Sequence, residues 1–313
     1  MPALEPTIEG IPNPLLRYLL ATRPAFLSVT LFSVLIGLAT AYADGVPVHA
    51  GTALVTCWFA LVAHAGINVL NDYYDALNGT DEANQDRVFP FTGGSRFIQN
   101  GVLSRRATAL YGTALMLLVI VAGLWLTWVS AANLIWIGAA GLLIGWAYSA
   151  PPLKLNSRGL GEVAVWAGFA LIAVGSDFVQ RGGFSMAPLI AVSSYALLVT
   201  NILFINQFPD CKADRAAGKH HLVVRLGVQH ARWLYLIVAI AAYGWLTAAV
   251  INGDLPSLSL LALAPAPLSL LAANTLLKLA ATPRRLGKAI QQTIAAASLH
   301  GMLLAATMVV ARM

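Results

Sequence analysis

Two acidic clusters stand out in a chain that is otherwise poor in charge. The first reads Asn68-Val-Leu-Asn71-Asp72-Tyr73-Tyr74-Asp75 and runs on to Gly79-Thr80-Asp81. The second holds Asp210 and Asp214, interleaved with and followed by Lys212, Arg215, Lys219 and Arg225. Asn71 and Asp75 are four residues apart, as are Asp210 and Asp214, so on a helical path each pair shares one face. Like charges at that spacing repel by roughly a few tenths of a kcal/mol, and a cation held between them reverses the sign. Mg²⁺ takes oxygen ligands and needs only one or two carboxylates when phosphate oxygens and waters complete its shell. Carboxylates interleaved with cations therefore suit a polyphosphate, held partly through Mg²⁺ and partly by direct salt bridges.

The elements that must position these clusters are apolar. Of the 313 residues, 58% are hydrophobic and 10% charged, where a soluble domain carries about a quarter charged residues. Nine apolar segments can be drawn, over 19–42, 50–70, 107–129, 131–149, 160–178, 186–206, 231–251, 255–279 and 289–311. Each is close to the ~20 residues of a spanning helix. The fold class is thus all-α, a polytopic membrane bundle of nine transmembrane helices. Of the 19 basic residues, all but Arg181 and Arg312 fall in the N-terminal flank or in alternate loops. The positive-inside rule then puts the N-terminus in the cytoplasm and the C-terminus outside, in a cell inner membrane. Both acidic clusters follow spans that end on that cytoplasmic side, and acids at such boundaries are functional candidates.

The start, MPALEPTIEGIPNP, is polar and lacks the pattern of a cleavable signal peptide. Residues 1–18 are expected as a cytoplasmic or interfacial segment before a membrane domain over 19–313. Cys57 and Cys211 are too few for a disulfide framework or a zinc site. The net charge of +6 lies in membrane-flanking loops, so nucleic acid is not an expected partner, whereas membrane lipid is.

Other residues carry a functional and a plain reading side by side. Gly93-Gly94 lets the loop turn tightly against a ligand, and Arg96 is near enough in sequence to reach phosphate, or it anchors the loop to the membrane surface. Pro151-Pro152 stops the fourth span and leaves Lys154 on the acidic side, to neutralise a departing diphosphate or to serve only as an inside lysine. Arg23-Pro24 offers a similar choice between phosphate and lipid headgroup. Asp177 is most simply paired with Arg181. His64 is read as a buried hydrogen-bonding histidine, and His220-His221 as solvent-exposed beside Lys219.

Taken together, NDYYDALNGTD (Asn71 to Asp81), GGSRFIQNGVLS (Gly93 to Ser104), YSAPPLKLNSRGLGE (Tyr148 to Glu162) and DCKADRAAGKHHLVVRLG (Asp210 to Gly227) resemble the UbiA superfamily of intramembrane prenyltransferases. The first and last are most similar to the menaquinone branch, which attaches a polyprenyl chain to 1,4-dihydroxy-2-naphthoate. The resemblance implies a nine-helix bundle around a central cavity, with a polar mouth and a lateral opening for the lipid tail. Asp81 takes the place of an acid that many members have at Gly79. The chain departs from the branch at Gln207 and Pro209, where an amide and an arginine are usual, and at Ser176-Asp177, where aromatic residues are usual. Proline disfavours helix at the residue before it, so the sixth span is expected to break near Phe208. Asp210 would then open a new turn whose free N–H groups favour an anion; the plain alternative is that Pro209 ends the helix in a loop.

The expected activity is Mg²⁺-dependent transfer of a prenyl group from its diphosphate to an aromatic quinone precursor. Asn71, Asp75, Asp81, Asp210 and Asp214 are the expected Mg²⁺ ligands. Asp75, Asp210 and Lys154 are the expected catalytic residues. Arg23, Asn68, Asp72, Arg96, Lys154, Asn206 and Lys219 are the expected substrate contacts. Three alternatives stay open: a terpene cyclase using the same diphosphate without an acceptor, transfer to another ring such as 4-hydroxybenzoate, and a transporter or lipid-binding protein.

Overall fold

The computed structural model describes residues 4–313; the first three residues of the segment expected over 1–18 lie outside the described residues. A short helix α1 (Pro14–Ala21) is capped by Asn13, whose Oδ1 accepts from Leu15 N at 2.9 Å. Ile11 and Ala21 pack it against Phe97, Val102 and Leu103 of a loop described below. Then follow α2 (Pro24–Ala43), α3 (Ala50–Asn78), α4 (Thr80–Ala83), α5 (Arg105–Val129), α6 (Leu134–Ser149), α7 (Gly161–Arg181), α8 (Ala187–Ala216), α9 (Leu222–Leu226), α10 (Val228–Ile251), α11 (Ala266–Leu279) and α12 (Gly287–Arg312).

The described residues contain eight helical stretches long and apolar enough to cross a membrane, plus the shorter apolar α6. One of the eight, residues 257–279, is a 3₁₀ segment, Ser257–Leu263, leading into α11. Pro265 and Pro267 account for the interruption, since proline cannot donate to the helix ladder. The protein is an all-helical, multi-pass membrane protein. The expected nine segments are recovered as eight full spans and α6, which at 16 residues measures about 24 Å.

The termini of the bundle lie at opposite ends. The α1 segment packs beside the loop that follows α3 and carries Asp81. The last residues of α12 reach the other end, where Arg312 donates to the Tyr42 carbonyl at the close of α2. At that same end Arg181 sits 2.7 Å from Asp44 and 2.7 Å from Asp177, which bears out the Asp177–Arg181 pairing. Asp177 is buried and also accepts from Thr40 Oγ1 at 3.0 Å.

α8 is the axis of the bundle. It packs on α2, α7, α10 and α12, and Tyr195, Phe204, Ile205 and Phe208 along it are fully buried. It also corrects an expectation: the helix does not break at Phe208, nor does Pro209 end it, and both residues lie inside an unbroken run to Ala216. Proline removes one ladder bond, that to the Ile205 carbonyl. Ending the helix there would instead strand several backbone groups in a water-poor interior, where each is costly. The packing of Phe208 against Phe204, ring centroids 5.7 Å apart, holds the helix across the gap. With no helix N-terminus at Asp210, the anion-favouring turn expected there does not form. α3 likewise runs past the expected end of its apolar segment, so Asn71 and Asp75 lie on the helix itself.

Candidate active site

α3 and α8 end on the same face of the bundle, and their last turns line opposite sides of one cavity of about 530 Å³. On α3, Asn68, Asn71 and Asp75 fall on one helical face and line it. On α8, Asn206, Gln207, Asp210 and Asp214 do the same. Below them the wall is apolar, with Ile67, Phe169, Ile172, Val199 and Leu203 contributing from α3, α7 and α8. The result is a polar mouth on an apolar chamber between α2, α3, α5, α6, α7 and α8.

The loop over residues 79–104 closes over the mouth and adds Asp81 to the ring. Gly79 ends α3 in the left-handed region, φ +77, and α4 starts at once with Asp81 in its first turn. Gly94, φ +71, passes so close that an added Cβ would lie 2.2 Å from Asp81 Oδ2. Only glycine permits both that conformation and that approach. Arg96 donates to the Asp81 backbone carbonyl and lies 3.6 Å from Glu5. Asp72 accepts from Ser95 N at 3.3 Å. Both Arg96 and Asp72 are buried and neither lines the cavity; Asp72 ties the loop to α3, and Arg96 ties it to α4 and to Glu5.

Lys219 stands at the centre of the mouth. Its ammonium is 3.1 Å from both oxygens of Asp75 and 3.5 Å from Asp214 Oδ1. Burial works against that charge, but Asp75 and Asp214 overcome it and hold the ammonium well above its ordinary value. Asp81, by contrast, is pushed well above the usual carboxylate range by burial and by the nearby Asp75 and Asp72. One lysine does not neutralise the ring of carboxylates. Asn206 Oδ1 is buried without a hydrogen-bond partner, and Asp214 Oδ1 is buried with only the Lys219 ammonium near it, at 3.5 Å; these hard oxygens suit Mg²⁺. Among the described residues no three acidic, histidine or cysteine groups converge as a protein-only metal cage. A ring of separated carboxylates fits an ion that also takes its ligands from phosphate.

Arg23 lines the cavity on the α2 side. It occupies the left-handed region at φ +58, held by its Nη2 donating to Phe91 O at 2.7 Å and by stacking 4.6 Å from the Phe26 ring centroid. Asn68 Nδ2 fixes the preceding turn through Thr22 O at 3.0 Å. Lys154 is placed differently: it lines a small adjoining recess with Asp75, Asn78 and Asn156, outside the main chamber. The sequence readings thus converge on one mouth for Arg23, Asn68, Asn71, Asp75, Asp81, Asn206, Asp210, Asp214 and Lys219. They leave Asp72, Arg96 and Lys154 around it. His64, as expected, is hydrogen-bonded, with its Nδ1 2.7 Å from Thr30 Oγ1.

Several contacts at the mouth were not found from the sequence. Asn84 Nδ2 donates to Asp210 Oδ1 at 2.5 Å; a loop asparagine gives no signal of its partner. His221 was read as solvent-exposed, but it is buried, with Nε2 3.1 Å from Asp214 Oδ2. Its Nδ1 accepts from Val224 N at 3.4 Å. Asn71 Nδ2 donates to Ser149 Oγ at 2.9 Å. Gln207 Nε2 donates to Glu162 Oε1 at 2.7 Å.

Residues 30–290 match the UbiA prenyltransferase family. The 1,4-dihydroxy-2-naphthoate octaprenyltransferase of Mycobacterium leprae is 30% identical over 190 residues, 60% of this chain and 62% of that protein. The Escherichia coli protein of the same name is 29% identical over 224 residues, 69% of this chain and 70% of that protein. The solved structure of a UbiA homologue from Archaeoglobus fulgidus bound to GPP and Mg²⁺ superposes with a TM-score of 0.62 at 14% identity, covering 93% of this chain and 99% of that one. That likeness is one of fold.

Proposed function

The chain belongs to the UbiA prenyltransferase family, and we propose that it transfers a polyprenyl group from its diphosphate to 1,4-dihydroxy-2-naphthoate or a closely related ring. The observation that carries this reading is the mouth itself: Asp75, Asp81, Asp210, Asp214 and Lys219 together above an apolar chamber of about 530 Å³. A diphosphate with a long hydrocarbon tail has that same division of charge. The acceptor assignment draws on the relatives named as naphthoate octaprenyltransferases.

In this reading Asn71, Asp75, Asp81, Asp210 and Asp214 would hold Mg²⁺ against the diphosphate, and Asn206 lies beside Asp210 on α8. Bound Mg²⁺ supplies charge neutralisation to the diphosphate oxygens, making them a better leaving group. Lys219 and Arg23 add fixed positive charge where negative charge grows as the C1–O bond breaks, which is where binding energy accelerates the step. The electron pair of that bond leaves with the diphosphate. An electron-rich ring carbon then bonds to C1, and aromaticity returns as the ring loses a proton or its carboxyl as carbon dioxide. The apolar wall below keeps water from the allylic cation. Asp72 and Arg96 act by holding the loop in place, and Lys154 meets the diphosphate only at the edge of the mouth. The mouth faces the cytoplasm, given the basic residues of the loops around it.

Purified protein supplied with a polyprenyl diphosphate and Mg²⁺ should form prenylated naphthoquinol only when the naphthoate is added. Hydrocarbon or alcohol products in its absence would instead identify a cyclase.

A further inference from the structure

Gln207 carries a buried acceptor with nothing to accept. The residue is 6% exposed and lines the cavity. Its Nε2 donates to Glu162 Oε1, and its own Oε1 has no partner. A carboxylate oxygen accepts hydrogen bonds, so Glu162 dictates which end of the amide turns toward it. The end left over is the carbonyl oxygen. The second oxygen of Glu162 and Oδ1 of the adjacent Asn206 are also buried without partners. Buried acceptors are normally satisfied, and these three are not.

The position is informative as well. Gln207 lies three residues before Asp210 and seven before Asp214 on α8, hence on the same face. It is about one turn, or ~5 Å, deeper into the chamber than Asp210. In the prenyl-transfer reading, a group held there would lie on the tail side of the diphosphate. Tyr148 and Leu203 also line the cavity, and both approach the start of α7, within 3.8 and 3.5 Å of where a Cβ on Gly161 would stand. They offer apolar surface to a flat ring beside the amide.

We propose that Gln207, oriented by Glu162, receives a hydroxyl of the aromatic acceptor and so selects rings that present a hydroxyl there over rings that present an ether or a carboxylate. This rests on the prenyl-transfer reading above. Gln207 is the specificity-determining residue, and Glu162 is a positioning residue that acts through it. A ring carboxylate at this point would meet the Glu162 carboxylate and the acceptor oxygens of Gln207 and Asn206, a repulsive arrangement.

The test compares wild type, Gln207→Met and Glu162→Gln in transfer to 1,4-dihydroxy-2-naphthoate and to its two monomethyl ethers, at saturating prenyl diphosphate. The near-isosteric Gln207→Met keeps volume in the wall, and thermal unfolding checks that it folds. Wild type should prefer the diol over one ether by at least about tenfold in kcat/KM, as a lost hydrogen bond to a buried group requires. Gln207→Met should raise the KM for the diol roughly tenfold and erase that preference, with the KM for the diphosphate within about twofold. Glu162→Gln should move the same ratio in the same direction by less, because its amide no longer dictates the orientation of Gln207. A Gln207→Met enzyme that keeps the wild-type diol-to-ether ratio overturns the assignment, as does one in which both Michaelis constants shift together. Wild type that makes no prenylated naphthoate overturns the functional reading itself, and this assignment with it.

Discussion

Lys219 places its ammonium 3.1 Å from each carboxylate oxygen of Asp75, across 144 residues of sequence. The lysine follows α8 while the aspartate ends α3, so this pair ties the two acidic clusters together. It also occupies a position that a bound cation would contest.

Replacing Lys219 by Met should therefore have two effects of opposite sense. With a fixed positive charge gone from the mouth, kcat/KM for the prenyl diphosphate should fall by roughly 10²-fold. Without the competing ammonium, Mg²⁺ alone should stabilise the variant at lower concentration than it stabilises wild type. Thermal unfolding across a Mg²⁺ series reads the second effect, and an unchanged Mg²⁺ midpoint would count against the competition.

Asp75→Ala and Asp210→Ala each remove one carboxylate from opposite walls of the mouth. Turnover should drop by at least about 10²-fold in either variant, and chelation of Mg²⁺ from wild type should do the same. Product formation near the wild-type level by either variant, with Mg²⁺ in excess, would remove these residues from the metal assignment.

Gly94→Ala asks an alanine to adopt φ +71 with its Cβ 2.2 Å from Asp81 Oδ2. The left-handed conformation alone costs about 1–2 kcal/mol, and the contact forces Asp81 or the loop to move. The expected result is a lower melting temperature together with a raised Mg²⁺ requirement for activity. Gly101→Ala is the control: it has similar φ, +69, but open space around it, so it should cost stability without changing the Mg²⁺ requirement.

Arg23 and Lys154 are separated by the structure where the sequence treats them alike. Arg23 lines the chamber and Lys154 an adjoining recess. Arg23→Ala should raise the KM for the diphosphate by about tenfold or more, and Lys154→Ala by several-fold less. Steady-state kinetics on both variants decides the order, and equal effects would place Lys154 in the mouth.

The sequence alone was enough for the parts of this protein that repeat or carry charge. Stretches such as 107–129 and 231–251 are apolar for as long as a bilayer is thick, and no packing information is needed to read them as helices. The spacing Asn71–Asp75 and Asp210–Asp214 is a local helical period, so each half of the mouth could be read from its own segment. What one segment cannot show is its partner. Asn84 with Asp210, His221 with Asp214 and Glu162 with Gln207 are contacts between distant stretches, fixed only when α3, α7, α8 and the loop at 79–104 pack together. Pro209 makes the same point from the other direction. Local preference predicts a break there, but in a membrane bundle the backbone groups a break would expose outweigh the single bond that proline forfeits. The helix runs on to Ala216 and carries Asp214 to the mouth.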